Sequence, residues 1–288
     1  MEKCDIRDLP IKEEIYDGEG SSIYGIGDGK LVKIAKPIVT STCAMLGSSY
    51  ERKILDTRAH AVKEIISPIE AVYQQGSCVG YTMKRISGLD LNHYDEHFTL
   101  KDRSNLHEYA ILFRKIEEVV RKAHKLGIVM PDLCTCDNIV LNRDGSLSFI
   151  DYDGMQMGEQ DVSVCLSTSL GDPMKYLAAP KYSSGMFRFT KELDKTSLTI
   201  LMFLLVFNLD LNKIGDFNPM TGKFVTIQDI FELLNLKDPV FMNKVAANIS
   251  LDCRGTFLAD DLDRIASEYD MSTFEVGNDF YIKKLSRK

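Results

Sequence analysis

Between Met130 and Gly154 the chain reads MPDLCTCDNIVLNRDGSLSFIDYDG, which gathers Asp132, Asp137, Asp144, Asp151 and Asp153 with Asn138 and Asn142 around one short turn. Oxygen donors concentrated in this way suit metal coordination or proton transfer to and from a hydroxyl. Two of them have simpler uses: Asp144 sits before Gly145 as a turn residue, and Asp137 suits a local backbone cap. Cys134-x-Cys136 is the closest cysteine pair and lacks a second pair at finger-like spacing, which argues against zinc. His124 reads as a packed helix-end residue rather than a base.

The elements that must position these groups follow from the pattern around them. Short strands through Ile15 and Tyr16, Ile23 to Ile26 and Leu31 to Ala35 open the chain, the last two joined by Asp28-Gly29, a standard hairpin turn. A helical stretch near Ser48 to Arg58 precedes strands at Ile69 to Tyr73 and Val79 to Ile86, with Gly76 in the turn between. Beyond Gly88, Leu106, Ala110, Phe113, Ile116, Val120 and Ala123 recur at helical spacing, with basic residues in the last turn and Gly127 just beyond. Strands at Ile139 to Leu141 and Leu147 to Ile150 flank the Asn142 to Gly145 turn, and from about Leu193 the chain is mostly helical. The expected fold class is α+β: a β-rich N-terminal lobe with one helix over residues 1–87, and a larger helical C-terminal lobe over 88–288.

The 288 residues carry a formal net charge of −7, which argues against nucleic acid as a partner, so any polyanion bound must be small and locally cradled. The first residues, MEKCDIRDLP, show no secretory pattern, and the apolar run from Leu198 to Phe207 is too short to cross a bilayer. Seven scattered cysteines fit reduced thiols and a cytoplasmic location.

Taken in order, these segments resemble the eukaryotic-like protein kinases and the wider protein-kinase-like fold, from about residue 14 to 262. Gly18-Glu19-Gly20-Ser21-Ser22 matches the Gly-rich loop over the ATP phosphates, without the third glycine. Lys33 matches the strand lysine that holds the α- and β-phosphates, with Lys36 as the alternative register. Glu51 matches the helix glutamate that pairs with that lysine, although Ser48-Ser49-Tyr50-Glu51 also reads as a capping box with Glu51 at N3. Met83, Lys84 and Arg85 match the border of the adenine pocket and the hinge, where the backbone from Lys84 to Ile86 would bond the base. Met130-Pro131-Asp132-Leu133 stands where the family writes His-Arg-Asp-Leu, Asn138 ends the catalytic loop, and Asp151 follows 13 residues later as the metal-binding aspartate. Ala179-Pro180-Lys181 resembles the end of the activation segment. Asp194 resembles the aspartate of the buried helix that anchors the catalytic loop, and Arg254 a late conserved arginine.

The resemblance implies an ATP- and Mg2+-dependent phosphotransferase: Lys33 and Glu51 positioning the triphosphate, Asn138 and Asp151 holding metal, Asp132 orienting the acceptor hydroxyl of a protein or small molecule. Asp153 replaces a glycine of the family's metal motif and is either a further metal carboxylate or an exit-turn residue. Other departures are plain. Asp132 and Asn138 are six residues apart, one more than the family's loop uses, and Cys134 replaces the loop lysine. Met130 and Pro131 remove the arginine pocket for a phosphorylated activation loop, and Lys181 stands where a glutamate would pair with Arg254. These leave a nucleotide-binding pseudokinase, a small-molecule kinase and a nucleotidyl transferase on the same fold as alternatives.

Overall fold

A computed structural model describes residues 1–18, 20–45, 49–91, 106–134, 136–158, 190–207, 211, 214, 217–218, 223–224, 226–234, 237–249 and 255–268. The expectations for Ala179, Pro180, Lys181 and Arg254 lie outside these residues. The N-terminal part is a mixed six-stranded sheet of β1 (Glu2–Asp5), β2 (Glu13–Asp17), β3 (Ser21–Gly27), β4 (Lys30–Ala35), β5 (Glu70–Gln74) and β6 (Ser77–Lys84), in the order β1-β5-β6-β4-β3-β2. Every pairing is antiparallel except β1 on β5. Asp28 and Gly29 both take positive φ, 48° and 66°, as do Gln75 and Gly76, 52° and 82°, so both hairpins close through two-residue turns whose twist matches the strands.

Two elements here were not foreseen. β1 pairs with a strand some 65 residues away, a parallel contact that no local pattern announces, and α1 (Pro37–Met45) is rich in β-branched residues that are weak helix formers. Pro37 at its first position supplies the preset φ that starts it. The helix expected over Ser48 to Arg58 is the shorter α2 (Tyr50–Leu55), capped by Ser49, whose hydroxyl accepts from Arg52 N–H at 3.3 Å. The cap therefore falls one residue later than the expected box, and Glu51 sits at N2 rather than N3.

The rest is mainly helical. A small three-stranded sheet comes first, in which β9 (Ile139–Asn142) lies between β10 (Leu147–Phe149) and β7 (Gly88–Asp90), and β8 (Ile128–Val129) pairs with β11 (Gln156–Met157). The long amphipathic helix is α3 (Leu106–Lys125), followed by Gly127 at φ 75°. α4 (Lys191–Phe207) buries 13 of its 17 residues, which makes the apolar run from Leu198 an internal helix. Around them lie β12 (Phe217–Asn218), β13 (Lys223–Phe224), α5 (Ile227–Leu234), α6 (Pro239–Asn248) and α7 (Ala259–Glu268). Among the described residues no helix is long and apolar enough to cross a membrane.

One continuous apolar core runs from Ala35 and Ile54 through Phe113, Ile139 and Phe149 to Phe203 and Ile265, and a small second cluster of Ile26, Val32 and Val72 lies on the other face of the sheet. The strand alternation sorts side chains between these layers: Lys33, opposite Tyr81, and Leu31, opposite Met83, share the face toward the main core. The segment before β5 docks on the hairpin, with Phe149 N–H donating to Glu64 O at 2.7 Å and Ile66 N–H to Phe149 O at 2.9 Å. That docking brings the sheet against the oxygen-rich stretch.

Candidate functional site

The loop from Met130 to Asn138 is held by its backbone. Asp194, fully buried near the start of α4, accepts from Met130 N–H at 2.9 and 3.1 Å, and its Oδ2 lies 2.8 Å from His124 Nε2. Burial pushes the Asp194 carboxyl upward, and the histidine and the Met130 N–H counter part of that shift. Ser197 Oγ donates to Pro131 O at 3.3 Å. Asn138 Nδ2 reaches back to Asp132 O at 3.2 Å, so the residue added between them does not separate them. A 3₁₀ turn spans Cys136–Asn138, and Cys134 and Cys136 are both buried in the core. Asp137 is exposed, and Asp144 accepts from the N–H and hydroxyl of Ser146, as a turn residue does.

Beyond the hairpin, Asp151 takes the left-handed conformation, φ 64° and ψ 50°. Aspartate tolerates this region better than most residues, and such backbone is stored where a side chain must be aimed. A 3₁₀ turn, Tyr152–Gly154, follows. A Cβ built on Gly154 would overlap Asp151 Oδ2, so glycine at that position leaves room for the carboxylate. Asp132, Asn138, Asp151 and Gly154 line one small cleft of about 20 Å3, walled by Met130, Phe149 and Met155.

Lys33 enters from β4 and is 6% exposed. Its ammonium is bonded by Asp151, and by Asp153 Oδ1 at 2.6 Å. Burial disfavours the charged lysine, but the two carboxylates outweigh it and hold its pKa above the ordinary value. Asp153 shows the reverse: burial pushes its carboxyl up, Lys33 together with the Tyr81 hydroxyl and a backbone N–H outweighs that, and the net shift is downward. Asp153 also accepts from Tyr81 hydroxyl at 3.0 Å and Tyr50 hydroxyl at 3.2 Å, while its carbonyl accepts from Lys53 Nζ at 3.1 Å. Burial and then the charge on Asp153 raise both phenols, which keeps them as donors.

The structure thus brings Lys33, Asp132, Asn138, Asp151 and Asp153 toward one place. Lys36, the alternative register for Lys33, pairs with Asp17 at 2.9 Å instead. Glu51 does not join them. It lies on the outer side of α2, where its carboxylate takes Lys3 at 3.0 Å and the Tyr73 hydroxyl, because Tyr50, Lys53 and Ile54 at helical spacing fill the inner face. Ser21 and Ser22 are strand residues rather than loop residues, paired opposite Ala35 and Ile34, and Ser22 Oγ donates to Asp17 at 2.5 Å. Gly18 N–H donates to Ser21 O at 2.9 Å and Gly20 O accepts from Lys36 N–H at 2.8 Å. Met83 is buried in the main core, Lys84 is exposed opposite Lys30, and Arg85 N–H donates to Gly29 O at 2.7 Å, which anchors the segment to the hairpin turn. The Arg85 side chain pairs with Glu13 at 3.2 Å beside a second opening floored by Gly25 and Gly27.

Sequence reasoning missed Tyr50, Lys53 and Tyr81. Tyr81 was findable, since strand register places it directly opposite Lys33. No protein-family model matches the chain, and no curated protein matches it.

Proposed function

We propose that the chain is an ATP- and Mg2+-dependent phosphotransferase of a two-lobed, protein-kinase-like fold, moving the γ-phosphoryl group to a hydroxyl acceptor. The observation that carries this reading is the meeting of Lys33 from the sheet with Asp151 at the rim of the cleft that also holds Asp132 and Asn138. The grip of Asp194 on Met130 N–H supports it, since the resemblance implies an aspartate there that anchors the loop.

The donors fit the proposed metal. Among the described residues no cluster of three or more His, Cys, Asp or Glu side chains is suited to hold an ion. A site of one carboxylate and one amide oxygen, Asp151 and Asn138, is the kind that Mg2+ uses when phosphate and retained water complete its shell. When bound, Mg2+ would neutralise phosphate charge. Lys33 would place its ammonium against the phosphates, Asp132 would orient the acceptor hydroxyl and take its proton, and the backbone after Met83 would hold the base. Cys134, buried where the family keeps a loop lysine, favours a second reading in which nucleotide is bound without turnover.

Incubation with labelled ATP and Mg2+, with mass spectrometry of whatever is modified, tests the reading. Asp151→Ala is expected to abolish stabilisation by Mg-ATP, which for the wild type at a hundredfold excess over Kd is about 2.7 kcal/mol. Asp132→Asn is expected to keep that stabilisation and lose turnover. Stabilisation without consumption of ATP by the wild type would favour the second reading, and no stabilisation by any nucleotide would sink both.

A further inference from the structure

Of the two carboxylates that meet Lys33, one faces the cleft and the other does not. The Asp151 side chain is 32% exposed and lines the cleft with Asp132 and Asn138. Asp153 is 7% exposed, and both of its oxygens are committed inside the protein, Oδ1 to Lys33 and Tyr81 and Oδ2 to Tyr50. A hard cation needs carboxylate lone pairs on the open side and room for the water it retains. The surroundings of Asp153 are suited instead to holding a carboxylate still: a phenol from α2, a phenol from β6, and Lys53 on its own carbonyl.

We infer that Asp153 is a positioning residue: its carboxylate fixes the Lys33 ammonium beside the cleft while Asp151 turns to the metal. The inference rests on the phosphotransfer reading above. Lysine is a point charge on a flexible stem with a large rotamer entropy, so an ammonium pinned before the phosphates arrive avoids that ordering cost during binding. Asp151 would divide its charge between both ends, because a carboxylate that binds a cation loosens its hold on a neighbouring ammonium. Asp153 has no such conflict. Glu51, engaged with Lys3 and Tyr73, is not placed for the task.

A double-variant cycle decides the matter. The full chain is titrated calorimetrically with ATP at saturating Mg2+, and with Mg2+ at saturating ATP, for the wild type, Asp153→Asn, Lys33→Met and the pair combined. Asp153→Asn is expected to weaken ATP about tenfold with the Mg2+ midpoint within about twofold of wild type, and to add nothing to Lys33→Met, because its effect passes through the lysine. A Mg2+ midpoint displaced about tenfold, an additive loss in the double variant, or unchanged ATP affinity in Asp153→Asn would each overturn the positioning role while leaving the phosphotransfer reading intact. If the wild type takes up no ATP with Mg2+, that reading is itself wrong and the inference goes with it. Tyr50→Phe, which removes only the hydroxyl on Oδ2, covers the case in which Asp153→Asn fails to fold. It is expected to weaken ATP about threefold at an unchanged Mg2+ midpoint, and unaltered ATP affinity there counts against the role.

Discussion

Removing the Asp194 side chain should cost the protein a large part of its stability. In Asp194→Ala two buried groups lose their partner at once: the Met130 N–H, now bonded at 2.9 and 3.1 Å, and His124 Nε2 at 2.8 Å. Each buried polar group left unsatisfied costs about 1–3 kcal/mol, so the two together cost about 2–6 kcal/mol, against a typical total of about 5–15 kcal/mol. Asp194→Asn should cost less, about 1–2 kcal/mol, because the amide oxygen can still accept from Met130 N–H and a neutral His124 can turn an unprotonated Nε2 toward the amide hydrogens. Loss of the charge also relieves the burial penalty that raises the Asp194 carboxyl. Urea unfolding followed by far-ultraviolet circular dichroism, with slopes compared to confirm that the unfolded state is unchanged, measures both variants. A loss under about 1 kcal/mol for Asp194→Ala, or equal losses for alanine and asparagine, would refute the reasoning, since the first denies that the contacts matter and the second that the acceptor oxygen does.

Further outcomes follow from other sites. In Gly154→Ala the new Cβ meets the tip of the Asp151 side chain rather than backbone, so the carboxylate should swing aside. Unfolding is then expected to change by only about 1 kcal/mol while, on the phosphotransfer proposal, Mg-dependent nucleotide binding falls and any turnover drops on the order of a hundredfold. Full retention of Mg2+ dependence counts against this. Asp238 caps α6 through Val240 and Phe241 N–H and is held below its ordinary 3.8 first by its bond to Arg264 and then, against burial, by those N–H groups. Its folded pKa is depressed, so its contribution is complete above 3.8 and fades as pH falls through the folded value. Asp238→Asn should therefore cost about 1–2 kcal/mol at pH 7 and progressively less in acid, and a penalty independent of pH between 7 and 2 would contradict the assignment.

Much of this architecture was legible because local chemistry and tertiary placement agree. Asp28-Gly29 needs two positive φ angles and has them, and α3 buries Ala110, Phe113, Ile116, Val120 and Ala123 of the stripe its spacing marks. Asp194, read as the anchor of a loop, does grip the loop. The failures share a physical cause, which is that the deciding partner lies far along the chain. A six-residue helix is too short for periodicity to fix its phase, and a lysine on its buried face reads as polar until the Asp153 carbonyl is seen opposite. Hence the sequence alone offers Glu51 either the partnership with Lys33 or the N3 place of a capping box, and offers Lys53 no role. β1 was invisible for the same reason, its parallel partner being β5. Asp153 stayed undecided because its role is set by Tyr50, Tyr81 and Lys33 together, from three separate elements.

The brevity of α2 has a consequence for how this region comes apart. A helix of six residues is far below the length at which a chain holds helical shape unaided in water. Its order is borrowed from Ser49 at one end and from the Asp153 turn, which receives Tyr50 and Lys53, along its flank. When that turn lets go, the helix has little reason to persist, and when the helix frays, the turn loses two of its restraints. Amide hydrogens of 50–55 and 152–155 should accordingly exchange with solvent as one cooperative unit, with a shared opening free energy below that of the core around Phe113 and Phe203.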